Sequence, residues 1–139
     1  MGPRPGTGEV TVQVWIDGTA TTVTDVAELD AILGDEPPGE VTLASDAAWR
    51  TLHISFWRDR AGLYWESETD ILLAWGPVPP GAPGNQVVGD AEYAYDDPRF
   101  ALPDGIEPFE VTHAEARQAA HEFLRTDGRP TNVQWVVKP

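Results

Sequence analysis

The chain has 139 residues, 23 Asp plus Glu against 9 Lys plus Arg for a formal net charge of -14, 6 Trp and no Cys. That length suits one domain with a core of its own, and a single domain over residues 1–139 is expected, with a flexible segment at 1–8. Lack of Cys excludes disulfides, thiolate metal sites and a cysteine nucleophile, while the excess of acid argues against direct nucleic-acid binding, which needs clustered Lys and Arg.

In chain order, Glu9 to Ile16 alternates with Val10, Val12, Val14 and Ile16 on one face and Trp15 on the other, the pattern of a half-buried strand. Asp17-Gly18 is a two-residue hairpin signal, and Thr19 to Val23 reads as the returning strand. Asp25 and Glu28 have capping-box spacing, with Thr24 as an alternative cap, and Val26, Leu29, Ile32 and Leu33 share a helical face. A helix over 25–33 follows, stopped by Gly34 in a left-handed conformation. Val41 to Leu43, Thr51 to Trp57, Leu63 to Glu66 and Ile71 to Trp75 are strand candidates, the middle pair joined by a turn over Arg58 to Gly62. Pro77 to Asn85 reads as an exposed proline-rich loop, and Gln86 to Tyr95 as one more strand. Asp96 to Pro108 is irregular. Thr112 and Glu115 then form a T-x-x-E box ahead of Ala116, Ala119, Ala120, Phe123 and Leu124, giving a second helix over 113–126 closed by Gly128, before a last strand from Thr131 to Val137. The expected fold class is α+β, a mainly antiparallel sheet of about 6–8 strands with two helices packed on one face.

Catalytic patterns are missing. His53, His113 and His121 stand apart, with no zinc-protease spacing, Ser45, Ser55 and Ser67 lack a nucleophile elbow, and the only lysine is Lys138. Neither an enzyme nor a cofactor or metal site is expected. Carboxylate pairs are too numerous to single out a hydrolytic dyad, so a carboxylate-based hydrolase is the weaker alternative to a binding protein. The N-terminus has no apolar stretch behind Arg4, and no run reaches the ~18 apolar residues of a membrane helix, so a cytoplasmic protein without membrane contact is expected.

Acidity belongs to the body of the chain. Nine acids and no base lie between Pro5 and Trp49, and ten acids with the single base Arg99 lie between Ala61 and Glu110. Such a charge either keeps the protein soluble or shapes a surface for a basic partner. Trp and Tyr are the side chains most enriched as interface anchors, yet most tryptophans on strands serve a core, and four of the six are expected to be structural. The candidate partner-binding residues are therefore those that mix acids with rings: Trp65, Glu66, Glu68, Asp70 and Trp75, and Asp90, Glu92, Tyr93, Tyr95, Asp96 and Asp97. On a strand, Glu92 and Asp96 would share one face and the two tyrosines the other.

The C-terminal third resembles the first-numbered immunity protein family of bacterial polymorphic toxin systems. The resemblance rests on Pro108-Phe109-Glu110-Val111, the helix through Ala119-Ala120-His121-Glu122-Phe123-Leu124, Thr126-Asp127-Gly128-Arg129-Pro130 and the closing Val133-Gln134-Trp135. Asp17-Gly18 and Ala27-Glu28-Leu29-Asp30 extend it to the opening of the chain, whereas Trp75 to Asn85 is longer and richer in proline than the family's pattern. The resemblance implies an α+β antitoxin that forms a 1:1 complex with a cognate toxin in the producing cell and blocks its active site. Toxins beside this family often carry deaminase-superfamily domains, including cytidine deaminases acting on DNA. A general acidic adaptor is the remaining alternative.

Overall fold

The computed structural model describes residues 11–36, 38–45, 49–79 and 87–138. Strands β1 (Val12–Ile16) and β2 (Thr19–Val23) form the opening hairpin, whose turn residues Asp17 and Gly18 both have positive φ, 51° and 79°, as a tight twisted hairpin requires. Helix α1 (Val26–Leu33) begins at Asp25, whose carboxylate accepts the Glu28 N–H at 2.8 Å. Glu28 in turn accepts the Thr24 N–H and hydroxyl, both at 2.9 Å, and these bonds hold its carboxyl below the ordinary carboxylate range. Gly34 ends the helix at φ 66°, as its lack of a Cβ permits.

The chain continues through β3 (Glu40–Ser45), β4 (Arg50–Trp57), β5 (Arg60–Ser67), β6 (Ile71–Pro77), β7 (Val87–Val88), helix α2 (Ala91–Asp96), a 3-10 turn at Pro98–Phe100, β8 (Val111–Thr112), helix α3 (His113–Thr126) and β9 (Val133–Val137). The strands join one nine-stranded sheet in the order β2-β1-β3-β4-β5-β6-β9-β7, and β8 pairs with β5 at Ala61↔Val111, beyond the Tyr64–Glu66 stretch that pairs with β6. All pairings are antiparallel except β7 with β9.

The α+β expectation holds, with corrections. The stretch Gln86 to Tyr95 is not one strand: only Val87–Val88 pairs, and Asp90 then caps α2 by accepting the Tyr93 N–H at 2.8 Å. Local capping outcompetes the β-propensity of the tyrosines here. The turn after β4 is shorter than Arg58 to Gly62, because Arg58 takes φ 46° and lets pairing resume at Trp57↔Arg60. Asp127, not Gly128, closes α3 in the left-handed region (φ 54°, ψ 29°), where its carboxylate and carbonyl both accept from Arg50. Glu9 and most of the proline-rich loop predicted for Pro77 to Asn85 lie outside the described residues.

One face of the sheet is closed by α1 and α3. Val12 and Val14, Val41 and Leu43, Leu52, Ile54 and Phe56, Leu63 and Trp65, and Val133 and Trp135 alternate toward Leu29 and Leu33 of α1 and toward Ala116, Ala119, Ala120, Phe123 and Leu124 of α3. The capping box predicted at Thr112 and Glu115 is present in both directions. His121 Nε2 approaches Asp30 Oδ1 at 2.7 Å, and Arg117 donates to the Gly34 carbonyl, so α3 is tied to α1 at its polar edge. A second, smaller core lies across the sheet, where α2 and the 3-10 turn bury Trp75, Val88, Ala91, Ala94, Phe100 and Val136. The segment Asp90 to Glu110 that builds this lobe packs over β6, β9 and β7, and its Phe109 reaches Gly62 of β5.

Candidate partner-binding surface

The two acidic and aromatic stretches have separate settings. Trp65 is 4% exposed and packs edge-on against Phe123 at 5.6 Å, so it belongs to the core under α3. Trp75 is 2% exposed at a β-bulge of β6. Its Nε1–H donates to the Phe100 carbonyl at 2.7 Å, and its ring meets Tyr95 at 4.7 Å and Phe109 at 5.3 Å. Trp75 therefore organises the lobe from beneath, and neither ring is available to a partner. Three tryptophans, Trp65, Trp75 and Trp135, are core and three are exposed, which corrects the expected four structural rings.

Around these rings the acids spread outward. Glu66 lies on β5, and Glu68 and Asp70 are exposed in the β5–β6 turn, where the Asp70 carbonyl accepts the Ser67 N–H at 2.9 Å. Burial lowers the affinity of Arg129 for its proton, and the charge of Asp70 partly offsets this, so that carboxylate is felt at the end of α3. Glu92 and Asp96 are exposed one helical turn apart on α2, so they share a face as helical neighbours and not as strand neighbours. Tyr93 and Tyr95 are 57% and 64% exposed. Asp97 is largely buried and grips Arg99, with Nη2 to Oδ2 at 2.6 Å and Nε to both oxygens at 3.1 Å. The Arg99 side chain, then its backbone N–H, holds the Asp97 carboxyl below the ordinary range, and the same contact raises Arg99. The lobe's single base is thus consumed internally, leaving the other six acids from Asp90 to Glu110 with no base from their own segment.

A different surface, unmarked by residues close along the chain, lies across the sheet. On the face opposite α1 and α3, Trp15, Thr42, His53, Tyr64 and Leu73 stand directly opposite one another across β1, β3, β4, β5 and β6. Among the described residues no helix packs on this row from β1 to β5, where Trp15 is exposed and Thr42, His53 and Tyr64 are half-buried. Thr42 Oγ1 and His53 Nδ1 are 3.1 Å apart, the His53 and Tyr64 rings meet edge-to-face at 5.2 Å, and Glu66 Oε1 lies 3.7 Å from His53 Nε2. Trp15 within this row and Trp57 beside it expose 45% and 41% of their surface, and Ile71 is also exposed. Where it meets the lobe there is a depression of about 300 Å³ lined by His53, Ser55, Trp57, Gly62, Tyr64 and Phe109, among others. Side-chain parity was the signal: Trp15 alternates against Val14, and Tyr64 against Leu63 and Trp65.

No group of three or more His, Asp or Glu side chains among the described residues could hold a metal ion, and no helix there is long and apolar enough to cross a membrane. The depression beside the lobe is open, and the surface around it combines exposed rings with a polar border, as interfaces between proteins do. The fold is that of a small α+β protein with exposed rings on one face of its sheet. The family model described as Immunity protein Imm1 matches residues 17–137, and the chain belongs to that family. No curated protein and no solved structure matches the chain significantly. Family membership makes it an immunity protein, an antitoxin of a polymorphic toxin system and not an enzyme.

Proposed function

We propose that this immunity protein silences a toxin of the deaminase superfamily that acts on DNA, by occupying its substrate groove in a 1:1 complex in the cytoplasm of the producing cell. The carrying observation is the acidity of the lobe. Asp90 to Glu110 holds seven acids, and its only base, Arg99, is bound to Asp97. A groove that accepts DNA is lined with Lys and Arg, and a surface of opposite potential gains association rate and specificity against it. The contact surface on this reading comprises the half-buried Glu66, the exposed acids Glu68 and Asp70, and the outer face of α2 with Glu92, Tyr93, Tyr95 and Asp96.

The test uses the toxin domain encoded beside this chain's gene, assayed for deamination of DNA cytosines. Equimolar protein should abolish activity, and added DNA should compete with the protein. A neighbouring toxin with no deaminase activity, or inhibition indifferent to DNA, overturns the reading. Reversing two charges, Glu92→Lys with Asp96→Lys, should slow association about tenfold at low salt, with the difference shrinking as salt is added. Unchanged association kinetics would remove α2 from the contact surface.

A further inference from the structure

We propose that the partner is anchored on the bare face of the sheet, by one arginine or lysine side chain entering the depression between Trp57 and Tyr64. The inference rests on the immunity reading and adds to it the site and the chemistry of the anchor. A strand face turned to water is ordinarily polar, whereas this one carries rings at Trp15, Trp57 and Tyr64. The same face is sealed over β6 and β9 by the lobe, so its bare half is an incomplete layer that a partner can finish.

The depression itself selects the occupant. Its volume of about 300 Å³ is at the lower limit of small-molecule pockets, roughly 300 to 1,000 Å³, and suits one long side chain better than a nucleotide. Trp57, Tyr64 and Phe109 form aromatic walls, His53 and Ser55 provide polar edges, and no Lys or Arg lines it. Ring faces attract cations, and the geometry is already realised on this face, where Lys138 Nζ stands 5.2 Å from the Tyr64 centroid. Glu66 lies beside His53, and Glu107 and Glu110 flank Phe109 in the chain, so acids stand on both sides of the depression, with Arg60 opposite Trp57 at its far end. The walls are fixed in advance. Phe109 is held at φ 70° by its N–H, which donates to the Trp75 carbonyl at 2.6 Å, and by its ring contact with Trp75. The Trp57 ring lies over Gly62, where a Cβ would already be in contact with it at 3.4 Å.

An anchor and a charged border leave different kinetic signatures. Truncating a desolvated anchor raises the dissociation rate, whereas removing border charges slows association. Binding kinetics of the full chain with the toxin domain encoded beside its gene should show Trp57→Ala dissociating about 30-fold faster or more, with association within about threefold of the unaltered chain. Ser55→Arg, which fills the depression with the chain's own guanidinium, should have the same effect, and circular dichroism should show both variants folded. A double-mutant cycle of Trp57→Ala against Lys→Ala and Arg→Ala changes in the toxin should find one strongly coupled basic residue. Unchanged dissociation in both folded variants overturns the inference, and so does a coupled residue that is apolar or acidic. Absence of binding by the unaltered chain overturns the immunity reading with it, and so separates the two failures.

Discussion

The two faces of the sheet are finished by different means. Beneath α1 and α3, nine large apolar side chains from β1, β3, β4 and β5 alternate inward and are buried, and the helices that cover them are capped by local hydrogen bonds. Across the sheet, a lobe of one short helix, a 3-10 turn and extended chain is pinned chiefly through one indole, and it stops halfway. The contrast sets stability apart from the proposed recognition: the helical face holds the fold, and the incomplete face is the one we propose a partner completes.

Four changes would break or sharpen that contrast. Phe123→Ala removes a fully buried ring that packs on Trp65, and about 3–5 kcal/mol should be lost, read as a shift of the urea midpoint. Trp75→Phe keeps a ring at the bulge but leaves the Phe100 carbonyl without its donor, at a cost of about 1–3 kcal/mol. Hydrogen exchange should then quicken in residues 91–100 ahead of α3, and uniform quickening would mean that lobe and helical face open as one unit.

Acid should act on the lobe next. Because the Asp97 carboxyl is depressed in the folded chain, its contribution is complete above the unfolded value near pH 4 and is lost as pH falls further, through the folded value. Tyr95 and Phe109 resonances should shift in that range in the parent and not in Asp97→Asn. Smallest of all, Trp15→Ser removes an exposed ring of the bare face, and stability should change by no more than about 0.5 kcal/mol. A larger loss would show that this face contributes to the fold itself.

Much of the helical face was legible from residues alone. Asp17-Gly18 dictates its turn by backbone sterics, the T-x-x-E box starts α3 where the spacing places it, and period-two and helical spacings mark the side chains that meet inside. The lobe was less legible. Val87, Val88, Tyr93 and Tyr95 favour a strand, and only Asp90 at the cap, with Ala91 and Ala94 three apart, hints at a helix. The two-residue strand β8 depends on Ala61, about fifty positions away in sequence, and leaves no local mark.

The candidate surface shows the same division. Sequence marked acids and rings that lie close along the chain, and thereby singled out Trp65 and Trp75, which the fold buries. Trp15, His53, Trp57 and Tyr64 come from three strands, and their adjacency arises only from strand register. Composition, local spacing and steric preference act over a few residues, so the sequence by itself determined the charge, the opening hairpin, both capped helices and the α+β class. Which side of the sheet stays bare, and which rings gather there, only the tertiary structure decided, because layer order is set by which distant strands pair and which segment returns to cover them.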